Sequence, residues 1–276
     1  MSRGRLLTIR RRINATKSLM KITRAMEMVA RAKVRKIERE YKKFREFHEE
    51  VENLWKKLPV SSIEHPFFEE GSKRLVVVIT GDLGLCGAFN SEIIKEADKL
   101  LEDGGSLIAI GNKSISYFSK KMDIFRSYDR FYDIPDFGKA SYIVDDIVDF
   151  LKGESGEVYV VYGKFINALI QRPRAERIVP LGKTEGNENL EFEPELEVLI
   201  ERFLHFYLST KILNYMFESK ISEFYARENA MRNATDNAQD VIRRLTLEYN
   251  KARQASITQE IIEIVTGAEA LKESEE

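Results

Sequence analysis

Apolar residues recur along the first 58 residues in alternating steps of four and three. Ala30, Val34, Ile37, Tyr41, Phe44, His48, Val51, Trp55 and Leu58 form the clean part of this track, and Leu6, Ile9, Ile13, Thr16, Met20 and Thr23 extend it less cleanly toward the start. Steps averaging 3.5 residues are the period of a left-handed coiled coil, because they keep one stripe of an α-helix facing a partner helix. Lys, Arg and Glu fill the positions between, as expected of solvated or partner-facing sides. The C-terminal stretch carries the same period in two tracks. One is Phe224, Met231, Ala238, Leu245, Ala252 and Gln259; the other is Ala234, Val241, Glu248, Ala255 and Ile262. Alanines at a seam let two helix axes approach closely. Glu248 and Gln259 break the apolar rule, and a polar seam residue either sets register or marks where the helix faces something other than its coil mate.

Helix-breaking residues divide the chain in three. Neither Pro nor Gly occurs from Arg5 to Leu58, all six prolines and thirteen of the fifteen glycines lie between Pro59 and Pro194, and Gly267 alone falls in Glu195 to Glu276. Long stretches without either residue favour long helices. The layout predicts an N-terminal coiled-coil helix over 1–58, an α/β head domain over 59–194 and a C-terminal coiled-coil helix over 195–276. At about 1.5 Å per residue each helix reaches on the order of 80–120 Å, longer than any compact domain of this size. Two such helices from opposite chain ends pair most economically as an antiparallel coil. Most of that length has no core of its own, so something else is expected to surround it.

Within the middle third, Arg74 to Thr80 is a β-branched run typical of a strand buried on both faces. A glycine-rich turn follows (Gly81-Asp82-Leu83-Gly84-Leu85-Cys86-Gly87), then an amphipathic helix over Asn90 to Leu101. Strands are expected at Ser106 to Ile110 and Glu157 to Tyr162, helices at Lys113 to Lys121 and Tyr142 to Leu151, and an edge strand at Ala175 to Leu181. Gly182 to Glu193 is polar and expected to be a loop. Strands alternating with helices predict a mostly parallel, Rossmann-like sheet.

Charge changes this picture more than composition does. The whole chain has a net charge of −1, yet residues 1–45 hold 16 Lys and Arg against 3 Asp and Glu. A basic arm on an acidic body suits an acidic protein partner, with a solvated helix face as the plainer reading. A nucleic-acid clamp fits poorly: the charges interleave with the apolar seam, and no aromatic precedes Tyr41 to stack on a base. The single cysteine, Cys86, excludes an intrachain disulfide and suits a reducing compartment. Met1 to Leu7 has no signal-peptide apolar region, and no apolar run approaches the roughly 20 residues that span a bilayer. Membrane association is therefore expected only through other subunits.

Candidate chemistry is sparse. The glycines at Gly81, Gly84 and Gly87 are spaced G-x-x-G-x-x-G, neither the dinucleotide fingerprint nor a P-loop, so a structural turn is expected rather than a phosphate cradle. His48, His65 and His205 are scattered, Cys86 has no histidine in its motif, and no spacing resembles a metal site. No cofactor, no metal and no catalytic residue are expected.

Three segments carry a family resemblance. They are Arg12 to Lys17 with Lys21 to Ala30 (RINATK and KITRAMEMVA), Thr80 to Gly87 (TGDLGLCG), and Glu228 to Ala238 continuing through Tyr249 to Ile261 (ENAMRNATDNA and YNKARQASITQEI). They bracket the chain, and together they resemble the gamma subunit of F-type ATP synthases, bacterial type. The resemblance implies a non-catalytic central rotor shaft. Its terminal helices wind inside a ring of alpha and beta subunits, and its α/β head meets the epsilon subunit and the membrane c-ring. It also implies that the chain regulates ATPase activity and proton flow, and lies peripherally on the cytoplasmic face of the bacterial inner membrane. By the same resemblance Arg24, Met26, Lys33, Arg227, Arg253, Gln254 and Thr258 are expected to contact the beta subunit, and Phe192 and Glu193 to meet the epsilon subunit and c-ring. Leu83 departs from the family by replacing the arginine usual in the turn, and Lys272 to Glu276 extend past the usual end. A free-standing coiled-coil scaffold with an α/β head is the alternative, and it would need none of the polar contact residues.

Overall fold

Alternate residues of strand β1 (Lys73–Ile79) enter two different apolar cores, Leu75, Val77 and Ile79 on one face and Val76 and Val78 on the other. This is the period-2 signature of a strand covered on both sides. The chain is described by a computed structural model over residues 2–61, 63–186 and 192–273. After β1 come helix α2 (Phe89–Leu101), strand β2 (Ser106–Ile110), helix α3 (Asn112–Phe118), strand β3 (Arg126–Tyr128), helix α4 (Phe137–Leu151), and strands β4 (Gly156–Phe165) and β5 (Gln171–Val179). Helix α1 (Ser2–Lys57) precedes them, with a 3-10 turn at Pro66–Phe68, and helix α5 (Leu196–Glu273) follows.

The sheet order is β3-β2-β1-β4-β5. Its pairs are parallel except at β5, which runs antiparallel to β4 and forms one edge. The mostly parallel sheet read from the sequence is thus the observed one, with two adjustments. The edge strand starts at Gln171 rather than Ala175, and β3 was not expected. Arg126–Tyr128 is three residues long and mostly exposed, so it shows neither alternation nor a β-branched run. Helix α4 begins earlier than expected because Asp136 caps it, its carboxylate accepting from the Lys139 amide at 3.0 Å.

The chain divides into two compact units, 29–230 and 1–28 together with 231–276. In the first, residues 207–224 of α5 are almost wholly buried. A helix buried on all sides is a core element rather than one half of an exposed coil. Here Leu208, Ile212, Met216 and Ile221 join β1, β2 and β4 in the larger core. Ser219 shows how close the approach is: its hydroxyl donates to the Ile79 carbonyl at 3.3 Å and accepts from the Gly163 amide at 3.5 Å. Trp55, Phe203 and Tyr207 stack where α1 ends.

The second unit is an antiparallel helix pair. Its cross-links run in opposite directions along the two helices, Glu27 with Arg232 at 3.5 Å, Thr23 with Thr235 at 2.8 Å and Arg5 with Glu248 at 3.2 Å. Every expected seam residue of α1 between Leu6 and Leu58 is buried or half-buried.

The α5 seam differs from its expectation. Met231, Ala234, Ala238, Val241, Leu245 and Ala252 face inward, but Glu248, Ala255, Gln259 and Ile262 are exposed, and Tyr249 and Ser256 turn in instead. An α-helix drifts about 20° per heptad against a strict seven-residue repeat. Over three heptads that drift hands the seam to the next residue along. Glu248 is therefore no polar seam residue; it pairs with Arg5 outside.

Candidate partner-contact surface

On α1, several residues outside the seam are unexpectedly apolar. Leu19, Ile22, Met26, Met28 and Val29 are all exposed, and Arg24 is exposed among them. Single exposed hydrophobics are ordinary, but a run of them on one helix marks a surface that a partner covers. The last turns of α5 repeat the pattern, with Ile257, Ile261, Ile262, Ile264 and Val265 between 48% and 71% exposed.

The sequence-derived contact residues sort by location. Arg24 and Met26 lie on exposed α1 surface, Met26 at 37%. Arg253, Gln254 and Thr258 are exposed on α5, flanking the inward Ser256. Because Arg5 pairs with Glu248, this second group lies beside the start of α1. Some 20 residues, or about 30 Å of helix, separate it from Met26. The two groups are separate stations, not one site. Lys33 is exposed, but its ammonium reaches Asp133 at 3.5 Å and lies 5.5 Å from the Phe224 ring centre. Phe192 is half-buried against the larger core and Glu193 is exposed. Residues 187–191 of the expected polar loop and the end of the tail, 274–276, lie outside the described residues.

Arg227 is placed differently from the others. It is 7% exposed and turned into its own chain. Its guanidinium donates to the carbonyls of Leu83 at 3.2 Å and Gly84 at 3.3 Å, and to the Glu223 carboxylate at 2.7 Å. It thereby holds the glycine-rich turn.

The turn's own polar groups are largely engaged. Gly81 N–H donates to Asn90 Oδ1 at 2.9 Å, and Asn90 Nδ2 donates to the Leu83 carbonyl at 3.3 Å and Cys86 Sγ at 3.0 Å. Asp82 Oδ1 accepts from the amides of Asn112 at 3.0 Å and Arg130 at 2.9 Å. A phosphate would have to displace Asn90 to reach the Gly81 amide. Burial also pushes the Cys86 thiol upward, away from the reactive thiolate. Among the described residues no group of His, Cys, Asp and Glu is arranged to hold a metal, and no helix is long and apolar enough to cross a membrane.

A family model described as ATP synthase matches residues 5–271. The ATP synthase gamma chain of Desulforamulus reducens is 38% identical over 277 residues, covering 96% of this chain and 98% of that one. The chain belongs to the ATP synthase gamma chain family. Another gamma chain, from Halothermothrix orenii, is 39% identical over 96% of this chain and 98% of its own. Among solved structures, the central stalk and c-ring of the Tetrahymena thermophila mitochondrial ATP synthase includes a chain 25% identical, with a TM-score of 0.61 over 77% of this chain and 99% of that one. A chain of the Euglena gracilis mitochondrial ATP synthase shares the fold at a TM-score of 0.74, 20% identical, over 99% of this chain and 96% of that one. Membership of the gamma chain family thus extends over both long helices and the sheet.

Proposed function

We propose that this chain is the central rotor shaft of an F-type ATP synthase. It couples ion-driven rotation of the membrane c-ring to sequential conformational changes in the catalytic beta subunits, and through the same contacts regulates ATPase activity and proton flow. The observation that carries this reading is family membership across nearly the whole length, together with exposed apolar runs on both long helices. Such a surface gains by being enclosed. The shaft contributes no catalytic group; it acts by contacting otherwise equivalent subunits differently, which shifts their conformational populations.

In this reading Arg24 and Met26 face beta at one station, Arg253, Gln254 and Thr258 face it at another, and Lys33 contacts it from the sheet-containing unit. The basic arm suits acidic segments of the ring, attracting them without a fixed docked geometry. Arg227 serves from inside, by shaping the turn. Phe192 and Glu193 meet the epsilon subunit and the c-ring. The complex is peripheral on the cytoplasmic face of the bacterial inner membrane, and neither nucleic acid nor a cofactor is involved.

The test is reconstitution with the alpha and beta subunits of the same source. A discrete complex is expected whose steady multi-site ATP hydrolysis requires this chain, with rotation of a bead attached to its sheet-containing unit. A chain that forms no complex with those subunits would overturn the reading.

A further inference from the structure

We propose that Glu223 is a positioning residue: through Arg227 it fixes the glycine-rich turn to α5, so that the exposed Leu83–Leu85 tip is carried by that helix as one piece. The functional half of this inference rests on the rotor reading; the geometric half does not.

Lys220, Glu223 and Arg227 follow one another at i, i+3 and i+7, which places them on one face of α5. Their side chains are 10%, 5% and 9% exposed. Glu223 Oε1 accepts from Arg227 at 2.7 Å and Oε2 from Lys220 at 3.1 Å. A buried carboxylate between two cations is held in place, since losing either partner strands a charge away from water. Arg227 Nη2, anchored there, also donates to the Leu83 carbonyl, and Nε donates to the Gly84 carbonyl. The planar fork is what makes this possible, because a lysine is a point charge and cannot span a carboxylate and two carbonyls in fixed directions.

The turn is shaped for the carboxylate in return. A Cβ at Gly81 would lie 2.8 Å from both Cδ and Oε1 of Glu223, so any side chain there would push Glu223 out of place. The tip beyond is tense and bare. Leu85 holds a positive φ of 61°, a conformation that a residue with a side chain keeps only when its surroundings impose it. Leu83 and Leu85 are 70% and 57% exposed. An apolar tip pinned to a buried ion triad is a rigid projection, and its direction is set by α5.

The geometric test uses the full chain with Cys86→Ser, and nitroxide labels at Leu83→Cys and Arg202→Cys. These substitutions leave the Leu83 carbonyl in place. Electron paramagnetic resonance then reads the distance distribution from the tip to α5. It is expected to be narrow in this parent and at least twofold broader with Glu223→Ala or with Gly81→Ala, which disturbs the triad without removing a charge. Glu223→Gln keeps an acceptor for Arg227 and is expected to recover most of the narrow distribution; Gly81→Ala serves if Glu223→Ala does not fold. A distribution that stays narrow in Gly81→Ala, and in Glu223→Ala where that variant folds, overturns the clamp.

In the assembled complex in vesicles, Glu223→Ala is expected to lower ions pumped per ATP hydrolysed several-fold while hydrolysis stays within about twofold of the parent. Pumping and hydrolysis falling in the same proportion would reduce Glu223 to a structural residue and overturn its positioning role. Failure of the unmutated chain to assemble defeats the rotor reading, and the distance measurement still decides the clamp.

Discussion

Trp55→Ala is expected to be among the most damaging single substitutions in the sheet-containing unit. Trp55 closes the α1 seam, is 5% exposed, and stacks on Tyr207 of α5 with ring centres 4.5 Å apart and planes at 13°. Phe203 and Phe68 lie within ring-pair range at 6.3 and 6.0 Å. Truncating a buried Trp to Ala costs about 3–5 kcal/mol in lost transfer energy and cavity formation. Aromatic pairs add about 0.5–1.5 kcal/mol each beyond their buried area. Against this, Trp55 and Tyr207 line a surface cleft of ≈ 290 Å³, so water can enter part of the space left behind. The balance is about 4 kcal/mol. In a unit of this size each kcal/mol lowers the melting temperature by about 2–4 °C, which gives a drop of about 8–16 °C. Trp55→Phe keeps a ring in the stack and should cost about 1–2 kcal/mol. The assay is calorimetry with far-ultraviolet circular dichroism on the full chain. Trp55 is the only tryptophan, so its fluorescence reports this corner alone in the parent. An alanine variant melting within about 3 °C of the parent would refute the claim that the stack joins α1 to α5.

Further predictions follow from other parts of the fold. Burial holds the Glu218 carboxyl above its usual range, and its Oε2 has no hydrogen-bond partner. The folded state therefore binds this proton more tightly than the unfolded state, so this contribution to stability is complete in acid and is lost as pH rises through the raised pKa. Glu218→Gln should accordingly raise the melting temperature at pH 7 and lose that advantage toward pH 4; equal shifts at both values would contradict the assignment. Tyr41, whose hydroxyl donates to Asn214, is pushed up to about 12 mainly by burial, so the chain should lose stability as pH climbs from 10 toward 12. Tyr41→Phe should flatten that part of an alkaline unfolding curve. Gly163→Ala would place a Cβ 2.2 Å from the Phe89 ring, and overpacking of this kind should lower stability in urea unfolding by about 1–3 kcal/mol. In the helix pair, Thr23→Val and Thr235→Val should each cost about 1 kcal/mol, and a double-mutant cycle should return a coupling of roughly 0.5 kcal/mol or more. Strict additivity would mean that the 2.8 Å hydroxyl contact contributes nothing.

The amino-acid sequence by itself determined what depends on local periodicity. The α1 seam from Leu6 to Leu58 is buried where the steps of three and four put it, because a helix presents the same stripe wherever it packs. The β1 run and the alternation of strands and helices were legible for the same reason: spacing and residue type act within a few residues of one another. Tertiary structure decided the rest. The α5 seam runs through Tyr249 and Ser256 rather than Glu248 and Ala255, because a strict seven-residue seam holds only where packing supercoils the helices and drifts elsewhere. Strand β3 exists because β2 offers its edge to Arg126–Tyr128, not because those residues favour a strand. Arg227 carries a partner-contact motif in the sequence and yet points inward, because the fold brings Leu83 and Gly84 to it across more than 140 positions of chain. Spacing alone puts Lys220, Glu223 and Arg227 on one face of α5, but an acidic residue in a helix ordinarily faces water. Only the fold buries that face and brings the Cβ-free space at Gly81 against Glu223, where its two cations make the burial tolerable.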